Sequence, residues 1–474
     1  MLKIMIFGTG STAETFISEL DECKVEIVCF VDNHQNIQGN IFLNKKVISP
    51  QSIEKYEYDY IVIASQYFDE INNQLLQLSV KKDRIIPYFV RDFIMNHEKH
   101  ITNVLIKMKK SRKPNKKLSI ALINYNNSNY NGYALNKFIP QQIREKYNID
   151  LIKEKNLDQL INYNVICSSH FDGIYKKDYI NIETWHGFPL KQMGLRHEST
   201  VNNKFIDYHL NRESHTQLIL SYSLMYNTLF NSCFPSIPSK YKVTGIPRND
   251  LLFSDNGKEM IINLFNINFC KVIFYLPTWR QGKNFKKETD KIWDNLFGFT
   301  DENIEKLKKY LKEKDTILIV KLHPFEYKNY EHSEVFDNKR IFLLSEELLI
   351  NSNIHLYELI SAADLLITDY SSIFFDTLII DLPVVFALTD HDDYVNNRGF
   401  LMEPYEMFTP GPKSTTFIDL MKDINNQLFG ADLYKINRKQ IREMVHTYVD
   451  NRSTERAWLE IEKTISEVKG DIYA

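Results

Sequence analysis

The strongest constraint on the fold is an alternation. Short apolar runs of strand length are separated by stretches with helical spacing, from the first residues to PVVFAL. KIMIFGTG, VEIVCFVD, DYIVIAS, LSIALINY, YNVICSSH, KVIFYLPTWR, TILIVKLHP, DLLITDYSSIFFDTLII and PVVFAL are the clearest runs. A run that is apolar residue after residue belongs to a strand buried on both faces. Strands alternating with helices imply parallel sheets covered on both sides, so the expected class is α/β. Ligands of such sheets bind outside the carboxyl ends of the strands.

Residues 1–90 read as a small Rossmann-like domain. Its first strand ends at Gly8 and Gly10 and its second at Asp32, the layout of a nucleotide-binding half. Ala13 stands where a full G-x-G-x-x-G would place its third glycine, so a tight turn without a ligand fits equally well. Incomplete in this way, the domain is not expected to carry out redox chemistry. Residues 91–117 read as a helix running into a basic linker, with Lys107, Lys109, Lys110, Arg112, Lys113, Lys116 and Lys117 around Pro114. Such a run is either a solvated face or a contact with an anionic membrane surface. Residues 118–250 and 251–450 read as two further Rossmann-like domains, and 451–474 as a helical tail. Two such domains in succession suggest a glycosyltransferase-B-like pair with a cleft between them.

Charge narrows the partners. The 474 residues carry a formal net charge of −3, so no global field draws the chain to nucleic acid. The five cysteines are scattered and lack CxxC spacing, which argues against a disulfide framework or zinc knuckle and suits a reducing cytosol. MLKIMIFGTG does not read as a signal peptide, and no uninterrupted apolar run reaches membrane-spanning length. The expectation is a cytoplasmic protein, peripheral on a membrane if it meets one.

Four motifs end predicted strands. Trp185-His186-Gly187-Phe188-Pro189-Leu190-Lys191 offers an imidazole, a natural base near neutral pH, beside a glycine that permits close approach. Lys321-Leu322-His323-Pro324 puts His323 at the last extended position before a turn. Thr368-Asp369-Tyr370-Ser371-Ser372 lies at a strand-to-helix corner, where unpaired backbone N–H groups and hydroxyls cradle phosphate. Arg248, Arg280 and Arg398 supply guanidinium forks for phosphate. A lone histidine at a strand end, or a single capping serine, is ordinarily structural; several such motifs together at strand ends are not. Asp390, Asp392 and Asp393 read as a solvated loop, and no metal or cofactor is expected.

WHGFPLK, VTGIPRND, YLPTWR, VKLHP, ADLLITDYSSIFFD and DHDDYVNNRGF occur in this order over roughly 118–450. In that order they resemble the CDP-glycerol glycerophosphotransferase family, the teichoic acid primases and polymerases, which also includes ribitol-phosphate transferases and capsule polymerases. Phe188 departs from the family's usual threonine. The resemblance implies a glycosyltransferase-B fold. It implies transfer of glycerol phosphate or a related polyol phosphate from CDP-glycerol or another CDP-polyol to a lipid-linked polymer, with release of CMP. On the same resemblance His186 is the base and His323 steadies the donor phosphates. Thr368, Ser371, Ser372, Arg248 and Arg280 bind the diphosphate, and Gly187, Lys191, Asp369 and Arg398 are further contacts. Two other activities compete: a nucleotide-sugar glycosyltransferase of the same architecture, and an NAD-linked oxidoreductase centred on Gly8, Gly10 and Asp32.

Overall fold

The computed structural model describes residues 2–18, 20, 25–65, 67–88, 117–197, 203–279 and 295–473. Residues 91–116 of the expected helix and basic linker, with the basic residues from Lys107 to Lys116, and Arg280 lie outside the described residues. The chain divides into two units, Met1–Lys113 and Pro114–Ala474.

The first unit holds β1 (Leu2–Phe7), β2 (Val25–Val31), β3 (Ile41–Phe42), β4 (Lys45–Ile48), β5 (Tyr60–Ile63) and β6 (Ile85–Pro87). Their spatial order is β3-β4-β2-β1-β5-β6, parallel throughout except for the β3–β4 pair. The turn after β1 needs glycine: Gly8 has φ +116°, and a Cβ there would come within 2.6 Å of the Ala64 carbonyl oxygen. Both Asp32 oxygens are occupied, one by the Thr9 hydroxyl at 2.8 Å and one by the His34 N–H at 2.9 Å. That carboxylate ties its own loops together. Ala13, in the place of the missing glycine, is fully buried.

The second unit holds two wholly parallel sheets. One comprises β7 (Ser119–Ile123), β8 (Asn148–Ile152), β9 (Val165–Ser168), β10 (Ile180–Glu183), β11 (Thr216–Ser221) and β12 (Tyr241–Val243), in the order β12-β11-β10-β9-β7-β8. The other comprises β13 (Lys271–Tyr275), β14 (Thr316–Val320), β15 (Ile341–Leu343), β16 (Leu365–Thr368), β17 (Val384–Ala387) and β18 (Lys413–Ser414), in the order β15-β14-β13-β16-β17-β18. The winding reverses between β7 and β9 in one sheet and between β13 and β16 in the other. In doubly wound sheets these switch points open the crevice that receives a ligand.

One apolar core runs through both sheets, uniting Trp185, Phe188, Tyr222 and Tyr226 with Phe274, Phe374, Phe375 and Tyr394. Within it lies a buried ion pair, Arg248 Nη2 to Asp376 Oδ2 at 2.7 Å, with side chains 1% and 0% exposed. The Tyr222 and Tyr357 hydroxyls donate to Asp376 at 2.7 and 2.6 Å. The last helix, Ser453–Tyr473, packs Ala457, Trp458, Ile461 and Ile465 against the β7–β12 sheet. Its start is held by Asp250, which accepts from the Ser453 and Thr454 N–H groups at 2.9 and 2.7 Å. Among the described residues no helix is long and apolar enough to cross a membrane.

Candidate active site

A cleft of about 480 Å³ opens at the carboxyl ends of both sheets of the second unit. It gathers His186, Gly187, Lys191, Arg248, His323, Ser371, Ser372 and Arg398 from the sequence motifs. It also gathers Asn126, Ser128, Asn129 and His170 from the loops at the β7/β9 switch point, and Pro277, Thr278 and Trp279 from the β13 end.

His186 follows β10. Its Nδ1 lies 2.9 Å from the Ser169 carbonyl oxygen. A carbonyl only accepts, so Nδ1 carries the proton and Nε2 keeps the lone pair. Trp185, just before it, has φ +48°, a strained value for a bulky residue. The Glu183 carboxylate holds that strain by accepting the Trp185 N–H at 2.8 Å, and it also accepts from Phe171 N at 3.0 Å and Ser168 Oγ at 2.7 Å. Gly187 comes next, and a Cβ there would lie 2.4 Å from Ser372 Oγ. Only glycine lets the histidine loop touch the serine corner this closely.

From the other sheet, the Trp279 ring stacks on His323 at 5.2 Å. Ser372 occupies the N-cap position of the Ile373–Thr377 helix, and its side chain makes no capping bond. Thr368 and Asp369 are buried and do not line the cleft. Thr368 donates to the Leu276 carbonyl at 2.7 Å, and Asp369 accepts the Thr278 N–H at 2.8 Å, so both shape the neighbouring Leu276–Trp279 loop. Arg248 reaches the cleft wall with both ends of its fork engaged, by Asp376 and by the Asn129 carbonyl at 2.6 Å. Lys191 Nζ donates to Thr278 Oγ1 at 3.3 Å, bridging the two sheets.

Among the described residues, four cations, Lys191, Arg248, Lys321 and Arg398, line the cleft against one carboxylate, Glu346. Lys321 and Glu346 are paired at 3.2 Å. Desolvation lowers the His186 pKa to about 4; the Ser169 carbonyl opposes the shift, and Arg248 and Lys191 reinforce it. Desolvation, with Lys321 and Lys191, likewise lowers His323 to about 4. Both imidazoles are therefore neutral at pH 7. Turnover is expected to stay flat as pH falls through 6.5, the ordinary histidine value, and to drop only towards about 4. A pH–rate profile checks this; a limb near 6.5 would place the titrating group elsewhere.

Sequence reasoning missed His170, Asn126, Ser128, Asn129, Glu346 and Asp376. His170 ends the run YNVICSSH, so the strand-end rule alone points to it. The asparagines follow β7 in the same way. Asp376 carries no local signal, because its partner Arg248 is remote in sequence. Among the described residues no group of three or more His, Cys, Asp or Glu side chains is placed to hold a metal ion.

Two doubly wound parallel sheets that share a cleft at their carboxyl ends define a glycosyltransferase-B-like α/β protein. The solved wall teichoic acid polymerase TagF has this fold, superposing with a TM-score of 0.60 at 20% identity over 80% of this chain and 98% of that one. The model of the family described as CDP-glycerol:poly(glycerophosphate) glycerophosphotransferase matches residues 143–463. This chain belongs to that family. A second model, described as C2185-like, N-terminal, matches residues 1–86. The teichoic acid ribitol-phosphate polymerase TarL of Staphylococcus aureus is 25% identical over 350 residues, 68% of this chain and 58% of that protein. The ribitol-phosphate primase of Bacillus spizizenii is 30% identical over 220 residues, 45% of this chain and 50% of that one. The glycerol-phosphate primase of Bacillus subtilis is 28% identical over 356 residues, 70% and 86%. The chain thus spans about half the length of the first two of these relatives.

Proposed function

We propose that this protein transfers a polyol phosphate, glycerol phosphate or ribitol phosphate, from its CDP-activated form to the terminal hydroxyl of a lipid-linked teichoic-acid-like or capsular polymer. The observation that carries this reading is the cleft itself: a neutral histidine with a fixed tautomer beside a serine corner, among the cations Lys191, Arg248, Lys321 and Arg398. Phosphoryl transfer asks a protein mainly for positioning and charge neutralisation. In this reading the acceptor hydroxyl oxygen attacks the phosphorus that bears the polyol, and its proton passes to His186 Nε2. The bridging P–O bond breaks, its electrons leave with CMP, and the new phosphodiester extends the polymer. Ser371, Ser372, Lys191 and Arg398 hold the diphosphate oxygens, with Arg280 as a further candidate. Arg248 contributes charge at the wall. A lipid-linked acceptor would be met at an anionic membrane surface, with the basic stretch from Lys107 to Lys117 as the contact.

The test is incubation with CDP-glycerol, CDP-ribitol and nucleotide sugars in turn, with the released nucleotide identified. CMP from a CDP-polyol supports the reading. A nucleoside diphosphate from a nucleotide sugar would replace it with glycosyl transfer.

His323 supplies a prediction about the donor alone. As a neutral imidazole it donates one hydrogen bond to a phosphate oxygen in this reading. Loss of such a bond to a charged group costs about 1.5–3 kcal/mol, roughly tenfold or more in affinity. His323→Ala should weaken CDP-polyol binding by that factor in calorimetry. Unchanged binding would remove His323 from the phosphate contacts.

A further inference from the structure

The assignment of His186 as base leaves His170 without a task. His170 follows β9, at the switch point of its sheet. Its ring lies 3.9 Å from that of His186 and 1° from parallel. Tyr130 packs against His170 at 4.5 Å, and Trp185 against His186 at 4.1 Å, so the two histidines lie within one run of four rings.

The same short segment grips His186 in two ways. Ser169 supplies the carbonyl that fixes Nδ1, and the next residue supplies the stacked ring. That segment is in register with the histidine loop, because Ser168 pairs with Glu183 across β9 and β10. Glu183 then fastens Ser168, Phe171 and Trp185 together. His170 Nδ1 is buried and has no hydrogen-bond partner. A protonated ring would leave a buried N–H unsatisfied and set a second cation face to face with any imidazolium formed at His186. Burial first, then the charges of His186 and Arg248, hold the His170 pKa well below the usual histidine value.

We propose that His170 is a positioning residue, whose neutral ring fixes the plane of His186 so that Nε2 stays presented to the acceptor hydroxyl. This rests on His186 being the base, and the experiment separates the two claims. His170→Ala, His170→Phe, His186→Ala and the double alanine variant are assayed for CMP release, with kcat and donor KM measured and folding checked by thermal melting. A misplacement of about 1 Å in a reacting group costs up to roughly 10²-fold, so His170→Ala should lower kcat about ten- to hundredfold with donor KM nearly unchanged. His170→Phe restores a flat ring and should recover most of that loss. Adding His170→Ala to His186→Ala should cost nothing further, because the effect runs through His186.

The inference is overturned if His170→Phe is as inactive as His170→Ala, which would make a ring nitrogen a chemical participant. It is also overturned if the loss appears in donor KM, or is equal in both backgrounds. A harmless His170→Ala beside a damaging His186→Ala overturns this inference alone. A harmless His186→Ala overturns the base assignment and takes this inference with it. If His170→Ala fails to fold, His170→Phe decides: near-normal kcat supports the stacking role, and a tenfold or greater loss refutes it.

Discussion

His186→Ala is expected to lower turnover by about 10²–10⁴-fold, the usual contribution of a positioned general base, while donor affinity stays close to normal. Three features make this the largest catalytic effect. The Ser169 carbonyl fixes the tautomer, so Nε2 is basic without any rearrangement. Desolvation and neighbouring cations lower the His186 pKa to about 4, so the ring is neutral at pH 7. Gly187 brings the histidine loop against Ser372, so the proposed base and the serine corner share one wall of the cleft. Donor binding should be spared because the proposed phosphate contacts Ser371, Ser372, His323 and Arg398 come from the other sheet, and Lys191, on the histidine's own loop, keeps its side chain in the variant. CMP release and calorimetry on the same preparation read the two effects separately. An alanine variant that loses donor binding and turnover together would make His186 a donor ligand. Near-normal turnover would return it to the role of a structural strand-end residue.

The sequence discloses parts of the molecule whose causes are local. Buried parallel strands announce themselves as continuous apolar runs, and β1, β7, β9, β13, β14, β16 and β17 all lie in runs of that kind. Edge strands do not: β15, β12 and β18 span two or three residues each, too short to show a period. The strand-end rule finds His186, His323, Ser371 and Ser372 because a parallel sheet brings the ends of its strands to one side. It cannot tell a side chain that enters the cleft from one that turns back into the protein. Thr368 illustrates this, its hydroxyl spent on the Leu276 carbonyl across the β13–β16 boundary. Arg248 illustrates the longer-range version. Its motif reads as a phosphate fork, yet the fork closes on Asp376, 128 residues later in the chain. The final helix repeats the lesson in packing. The apolar spacing of Ala457, Trp458, Ile461 and Ile465 is readable, but the sheet that receives it begins more than 300 residues earlier.

That closed fork yields the largest stability effect. Asp376→Ala should destabilise the second unit by about 3–5 kcal/mol, the range for breaking one side of a buried ion pair. Arg248 is 1% exposed and cannot turn to water for its lost partner. The Tyr222 and Tyr357 hydroxyls would lose their acceptor in the same step. The arginine and Tyr222 come from the side of the β7–β12 sheet, Asp376 and Tyr357 from the side of β13–β18, so the damage falls where the two sheets are joined. Desolvation already burdens such a pair, so removing both charges is gentler than removing one. Arg248→Met combined with Asp376→Leu should therefore be more stable than Asp376→Ala alone, even though Arg248 lines the cleft and activity suffers. Urea titration of the wild type, Asp376→Ala and the double variant ranks their stabilities. A loss below about 1 kcal/mol for Asp376→Ala would mean that water or a neighbouring group relieves the stranded guanidinium. A double variant weaker than the single one would show that the pair contributes more than its desolvation costs, and that the junction between the sheets depends on charge rather than on packing.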